Sequence, residues 1–200
     1  MRFIALGDSL TAGIDETPPG TRWSDLLAER LRELHGEVEY ENLAIFGLKS
    51  DEVVTTQLEA ALAEPVDVAS VICGGNDVMK LTAPDAGVFA EALEQLLGGL
   101  RERNPDALLI TARLADLSEI LPYRERSRVR VARATVEFNA VLDEIVERYD
   151  VRVLDLTVAT QMALGDFLAS DGFHPSIAGQ KAIYEAMAAA LGDEPLLAIA

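Results

Sequence analysis

Residues 2–13 read RFIALGDSLTAG, a short apolar run that ends in a turn bounded by Gly7 and Gly13. A short and nearly continuous apolar run is typical of a parallel strand that is covered on both faces. The two glycines allow a tight turn from strand to helix, which would expose Ser9 and point backbone N–H groups at an anion. On this stretch alone, Ser9 is a nucleophile, a phosphate-loop residue or a helix cap.

The rest of the chain repeats this alternation of short apolar runs with longer amphipathic ones. It predicts a first strand at 2–6 and four more at 38–44, 66–73, 107–114 and 151–156. Helices are predicted at 21–35, 50–63, 85–103, 127–149 and 176–191, with Ser50 as the cap of the second helix. Strands separated by helices predict an α/β fold, a three-layer α/β/α sandwich with a five-stranded parallel sheet. No repeat or linker divides the chain, so residues 1–200 are expected to form a single domain.

The composition excludes several classes of function. The 200 residues include 34 Asp and Glu against 17 Lys and Arg, and a formal net charge of −17 repels the phosphates of nucleic acid. One cysteine, Cys73, rules out an intramolecular disulfide, and with two histidines it disfavours a structural zinc site. The first apolar run is too short for an export signal and no run reaches the length of a membrane helix, so we expect a cytoplasmic protein without stable membrane association. An arginine-rich stretch at 124–133 is expected to be a solvated helix entry rather than a substrate contact.

The loops after the predicted strands carry the candidate functional residues, because ligands bind beyond the carboxyl ends of the strands in an open parallel sheet. Gly47 is a position where a backbone amide can approach a ligand, or an ordinary turn. Asn76 carries a side-chain NH₂ donor where an oxyanion would need one, although its Gly-Gly-Asn-Asp context is also a common turn. Asp171 precedes His174 by three residues and can turn back to hold the imidazole, although each is also explained as a turn or helix-entry residue.

Taken together, these segments resemble the four blocks of the GDSL family of serine esterases and lipases, in its SGNH hydrolase subgroup. The four blocks occur in order as Gly7-Asp8-Ser9-Leu10, Gly47, Gly74-Gly75-Asn76-Asp77 and Asp171-Gly172-Phe173-His174. The resemblance spans residues 7–174. It implies a flavodoxin-like SGNH hydrolase fold and the hydrolysis of carboxylic esters, short-chain acyl or acetyl esters above all.

The resemblance also implies a role for each matching residue. Ser9 would be the nucleophile that carries the acyl group, His174 the general base and acid, and Asp171 the carboxylate that orients the imidazole. The oxyanion hole would consist of the Ser9 and Gly47 backbone N–H groups and the Asn76 side chain. Neither a cofactor nor a metal is implied, and the partner is a small-molecule ester. Three side chains within or close to these blocks are predicted to line the walls of the pocket: Phe46, Met79 and Phe173. Residues 115–125 are predicted to form a partial lid.

Three alternatives stand beside this hypothesis. A flavodoxin-like FMN or phosphate-binding module would use residues 7–13 as its phosphate loop, but it leaves the acid–histidine pair unexplained. A haloacid-dehalogenase-type phosphatase would make Asp8 the nucleophile, but it requires a second acid where Leu10 stands. An inactive binding protein on the same fold is the third. Within the hydrolase hypothesis, Asp8 is expected to be a structural hydrogen-bonding residue, and Asp155 is the alternative partner of His174.

Overall fold

The computed structural model describes residues 1–80, 83–118, 124–155 and 166–192. Its strands are β1 (Arg2–Gly7), β2 (Glu39–Asn42), β3 (Val68–Ile72), β4 (Leu108–Arg113) and β5 (Val151–Asp155). The helices in these ranges are α1 (Ser9–Ala12), α2 (Trp23–His35), α3 (Ser50–Leu62), α4 (Gly75–Lys80), α5 (Ala86–Arg103), α6 (Glu125–Tyr149) and α7 (Ile177–Leu191). The predicted strands and long helices are confirmed, whereas the short helices α1 and α4 were not predicted.

The strands form a parallel sheet in the order β2-β1-β3-β4-β5. From β1 the chain first crosses to β2 on one side and then returns to β3 on the other side. The direction of winding therefore reverses between β1 and β3, and the carboxyl ends of these two strands flank the topological switch point. The short helices α1 and α4, which follow β1 and β3, carry Ser9 and Asn76.

Two apolar clusters cover the two faces of the sheet, which confirms the three-layer architecture. Alternate residues of β1 supply the two clusters, because successive side chains of a strand point to opposite faces. Ile4 and Leu6 pack with side chains of α3, α5 and α6. Phe3 and Ala5 pack with side chains of α2 and α7, among them the fully buried Trp23.

The end of β1 is held in one conformation by its neighbours. Gly7 has φ +144°, and a Cβ there would lie 2.0 Å from the carbonyl oxygen of Ile72, so only glycine fits. The buried side chain of Gln57 on α3 accepts a hydrogen bond from the Gly7 N–H at 2.9 Å and donates one to its carbonyl at 2.8 Å. The chain therefore turns directly from β1 into α1 at a defined point.

The predicted cap of α3 is wrong. Lys49 occupies the N-cap position, and Ser50 is the first helical residue. The Ser50 hydroxyl donates to Asp77 Oδ1 at 2.7 Å, and its backbone N–H donates to Asp77 Oδ2 at 3.0 Å. The Ser50 hydroxyl is therefore bonded to a buried carboxylate on α4 and does not cap the helix.

The arginine-rich stretch forms the first turns of α6, which begins at Glu125. Arg130 reaches from these turns to the end of α4, where its Nη1 donates to the Val78 carbonyl at 2.9 Å. This contact ties α6 to the short helix that follows β3.

Candidate active site

Ser9 is the first residue of α1, directly beyond the carboxyl end of β1. Asp8 caps this helix, since its Oδ1 accepts a hydrogen bond from the Leu10 N–H at 3.1 Å. The helix ends after one turn at Gly13, whose N–H donates to the Ser9 carbonyl. Ser9 is 8% exposed, and it lines a cavity at the switch point.

His174 lies in the loop before α7, between Ser9 and Asp171. Its Nε2 is 3.0 Å from Ser9 Oγ, and its Nδ1 is 2.5 Å from Asp171 Oδ2. The other Asp171 oxygen accepts the backbone N–H groups of Phe173 and His174, each at 2.9 Å. The structure therefore brings the three predicted catalytic residues into one hydrogen-bonded chain, and it places Asp171 rather than Asp155 at Nδ1.

The pKa of Asp171 is lowered from its ordinary value. Partial burial acts to raise it, but the hydrogen bond from the His174 ring and those from the backbone N–H groups outweigh burial. Asp171 is therefore ionised at neutral pH, and its carboxylate can accept the hydrogen bond from the His174 ring.

The loop that carries His174 is also contacted by Glu16, and two aromatic rings lie beside the His174 ring. Glu16 Oε2 accepts the Ser170 N–H at 3.1 Å, and its Oε1 accepts the Ser170 hydroxyl. These bonds also lower the pKa of Glu16. The rings of Phe46 and Phe173 lie 5.2 Å and 4.6 Å from the His174 ring, centroid to centroid. No sequence pattern links Glu16 to a loop 154 residues away.

Asn76 and Asp8 are hydrogen-bonded to each other beside Ser9. The Asn76 Nδ2 donates to Asp8 Oδ2 at 3.1 Å and to the Leu48 carbonyl at 2.9 Å. Burial raises the pKa of Asp8 to about 6; the hydrogen bond from Leu10 opposes this shift, and the charge of Asp77 adds to it. Both Asp8 oxygens thus accept hydrogen bonds within the fold, in keeping with the structural role predicted for it.

Gly47 lies in the turn after β2, in the left-handed region with φ +81°. Its carbonyl accepts a hydrogen bond from Lys80 Nζ at 2.8 Å, and a Cβ at this position would lie 3.2 Å from the same nitrogen. The bond from Asn76 to Leu48 ties this turn to α4 as well. The structure therefore brings the predicted glycine and asparagine together through α4.

A mostly apolar cavity of about 160 Å³ lies beside Ser9 and His174. Met79 and Phe173 line it as predicted, whereas Phe46 does not line it and instead contacts His174. Part of the predicted lid, residues 119–123, lies outside the described residues. The apolar walls come from β3, from α7, and from the segments after β3, after β4 and before α7: Ile72, Cys73, Leu114, Leu117, Leu168 and Ile183.

The remaining reactive group near the site is the thiol of Cys73. Burial raises its pKa well above the ordinary value, and the charges of Asp8 and Asp77 add to the shift, so the thiol stays protonated. Within the described ranges, no three His, Cys, Asp or Glu side chains are grouped so as to hold a metal ion. None of the helices in that part of the chain is long and apolar enough to cross a membrane.

Comparison with known proteins identifies a family and a set of solved structures. A model of the GDSL-like Lipase/Acylhydrolase family matches residues 5–182. The fold is similar to that of TesA, with a TM-score of 0.78, 22% identity and coverage of 98% of this chain and 100% of TesA. It is also similar to the lipase Lip_vut3 from a goat rumen metagenome, with a TM-score of 0.75, 21% identity and coverage of 95% and 97% of the two chains. An extracellular lipase from Streptomyces rimosus gives a TM-score of 0.70 at 17% identity, covering 95% and 99%. No curated protein matches the sequence.

Proposed function

Because this chain belongs to the GDSL-like lipase/acylhydrolase family and is thus an ester hydrolase, we propose that it cleaves carboxylic esters through an acyl-enzyme on Ser9. The observation that carries this proposal is the 3.0 Å contact from Ser9 Oγ to His174 Nε2, with Asp171 at the opposite ring nitrogen. A nucleophile within reach of a base that is itself oriented by a third group is the arrangement that nucleophilic catalysis requires.

In this mechanism His174 transfers one proton when the acyl-enzyme forms and another when it is hydrolysed. Its Nε2 takes the proton of Ser9 as Oγ attacks the ester carbonyl, and then gives that proton to the departing alcohol. Asp171 keeps the other ring proton on Nδ1 and stabilises the imidazolium. Nε2 then takes a proton from water as the water oxygen attacks the acyl carbonyl, and it returns that proton to Ser9 Oγ as the acid departs.

The oxyanion of the tetrahedral intermediate would be bound by the backbone N–H groups of Ser9 and Gly47 and by Asn76 Nδ2. In the structure Asn76 Nδ2 donates to Asp8 and Leu48. One of these hydrogen bonds would be redirected to, or shared with, the substrate oxygen as charge develops on it. Removal of one such donor typically lowers kcat by about 100- to 1,000-fold.

The apolar cavity would hold the acyl group. Its volume of about 160 Å³ is close to that of a cavity of about 150 Å³ that accommodates benzene, a six-carbon molecule. We therefore expect acetyl and other short acyl chains of up to roughly six carbons. The net charge of −17 and the apolar walls both favour an uncharged ester over an anionic one.

The test is turnover of p-nitrophenyl esters from acetate to dodecanoate by the wild type and by Ser9→Ala. We expect the wild type to favour acyl chains of up to roughly six carbons, since longer chains exceed the cavity. Ser9→Ala should fold normally by circular dichroism and lose turnover, whereas Ser127→Ala, on α6, should match the wild type. Full turnover by Ser9→Ala would contradict the assigned nucleophile, and an undiminished rate on dodecanoate would contradict the acyl site.

A further inference from the structure

We propose that Lys80 is a positioning residue for the oxyanion hole, because its side chain holds the Gly47 turn in place against α4. The proposal rests on the proposed function and extends it to a residue outside the four sequence blocks. It follows from the way in which α4 contacts the segment between β2 and α3.

Side chains of α4 contact that segment at three points, each by hydrogen bonds. Asn76 donates to the Leu48 carbonyl at 2.9 Å. Asp77 accepts hydrogen bonds from the Ser50 hydroxyl at 2.7 Å and from the Ser50 backbone N–H at 3.0 Å. Lys80 donates to the Gly47 carbonyl at 2.8 Å. Gly47 lies in the turn after β2 and Asn76 on α4 itself, so the contacts of this one helix link the two oxyanion donors.

Lys80 differs from the other two contacts in its burial. Asn76 and Asp77 are 6% and 3% exposed and form part of the packed interior, whereas Lys80 is exposed. An exposed side chain can be replaced without opening a cavity, and surface substitutions usually change stability little. The role of Lys80 can therefore be separated from the stability of the fold.

Gly47 is the point of the segment that most needs an external contact. Glycine has the widest range of backbone conformations, so the direction of its N–H is the least restricted by the residue itself. Lys80 holds the Gly47 carbonyl, and through the backbone dihedrals of that residue it restricts the direction of the N–H. A charged donor also makes a stronger hydrogen bond than a neutral one.

The positive charge of Lys80 should also help the turn to bind the oxyanion. The sequence has three lysines and a net charge of −17, and one of these three cations lies at the turn that would bind the oxyanion. A positive charge held at this turn would stabilise the negative charge that develops on the oxyanion, and so the transition state more than the ground state. Loss of Lys80 should therefore lower kcat and leave KM nearly unchanged.

The experiment compares Lys80→Met and Lys80→Arg with Lys49→Met on p-nitrophenyl butyrate. Lys49 is a matched control, because it lies two residues after Gly47 but its Nζ pairs with Asp51 at 3.1 Å. For Lys80→Met we expect kcat to fall about 10-fold, less than for outright removal of a donor, with KM within about twofold of the wild type. Lys80→Arg should recover most of kcat, and Lys49→Met should match the wild type.

Two results would overturn the proposal while the proposed function stands. One is wild-type kcat in Lys80→Met with a lowered melting temperature, which would make the contact a purely structural tether. The other is an equal fall in kcat in Lys80→Met and Lys49→Met, which would indicate a general effect of charge. Failure of the proposed function is separate, because it would show as turnover retained by Ser9→Ala in the same assay.

Discussion

The Ser9 hydroxyl contacts a histidine that is 165 residues away in the sequence. The two meet because α1 and the loop before α7 both lie at the carboxyl edge of the sheet. The acid–histidine spacing of three residues was readable from the sequence, because a carboxylate that close can turn back to the ring within one loop. The support from Glu16 was not readable, because a contact between distant exposed loops leaves no periodic or local pattern.

Burial of the Asp8 carboxylate lowers the stability of the fold at neutral pH, and the sequence does not show this. Its carboxylate is buried beside the nucleophile, and burial raises its pKa from 3.8 to about 6. Between these two pH values the folded state retains a proton that the unfolded state has released. The free energy of unfolding therefore falls as pH rises through this window, by about 3 kcal/mol in full.

Replacement of Asp8 by Asn should remove this pH dependence. We expect the stability of the wild type relative to Asp8→Asn to fall by about 2 kcal/mol between pH 4.5 and pH 7.5, since most of the window lies in this range. The measurement is urea denaturation of both proteins at the two pH values. Parallel pH dependence of the two proteins would contradict the raised pKa of Asp8.

The elements differ in how far they could be predicted. The long helices carry enough turns for apolar periodicity to show, whereas α1 has four residues and α4 has six. Helices this short do not form in isolation, so they depend on tertiary contacts. Asp8 caps α1, and Arg130 binds the carbonyl of Val78 in α4. Dependence on tertiary contacts also explains the wrong prediction at Ser50. Its hydroxyl donates to Asp77, 27 residues away, although serine is a preferred residue at helix N-caps.

The contact between Ser50 and Asp77 should stabilise the junction of α3 and α4. Both side chains are buried, and Ser50→Ala leaves the Asp77 carboxylate with one hydrogen bond fewer. We expect the free energy of unfolding to fall by about 2 kcal/mol, the usual cost of an unsatisfied buried group. The hydrogen bonds from Ser50 act to lower an Asp77 pKa that burial raises, so the loss should be larger at a pH where Asp77 is ionised. Urea denaturation tests this, with Ser127→Ala as control; a Ser50→Ala protein as stable as the wild type would contradict it.

At the scale of the whole molecule, alternation of apolar and amphipathic segments was enough to predict a parallel sheet between two helical layers. The reversal of winding between β1 and β3 then brings the separate sequence blocks to one edge. The size of the cavity could not be predicted, because its walls combine side chains from several distant segments. The contact of Lys80 with Gly47 could not be predicted either, since no sequence pattern relates the two positions.

The central claim, that Ser9 is the nucleophile activated by His174, is tested most directly by covalent labelling with a fluorophosphonate. In this reaction Ser9 Oγ forms a bond to phosphorus and fluoride leaves, so the product is a stable adduct that mass spectrometry of the intact protein and its peptides locates. We predict one adduct per chain, on Ser9, absent in Ser9→Ala and formed at least about 100-fold more slowly in His174→Ala. An adduct on any other residue, or equally fast labelling of Ser9 without His174, would contradict the account.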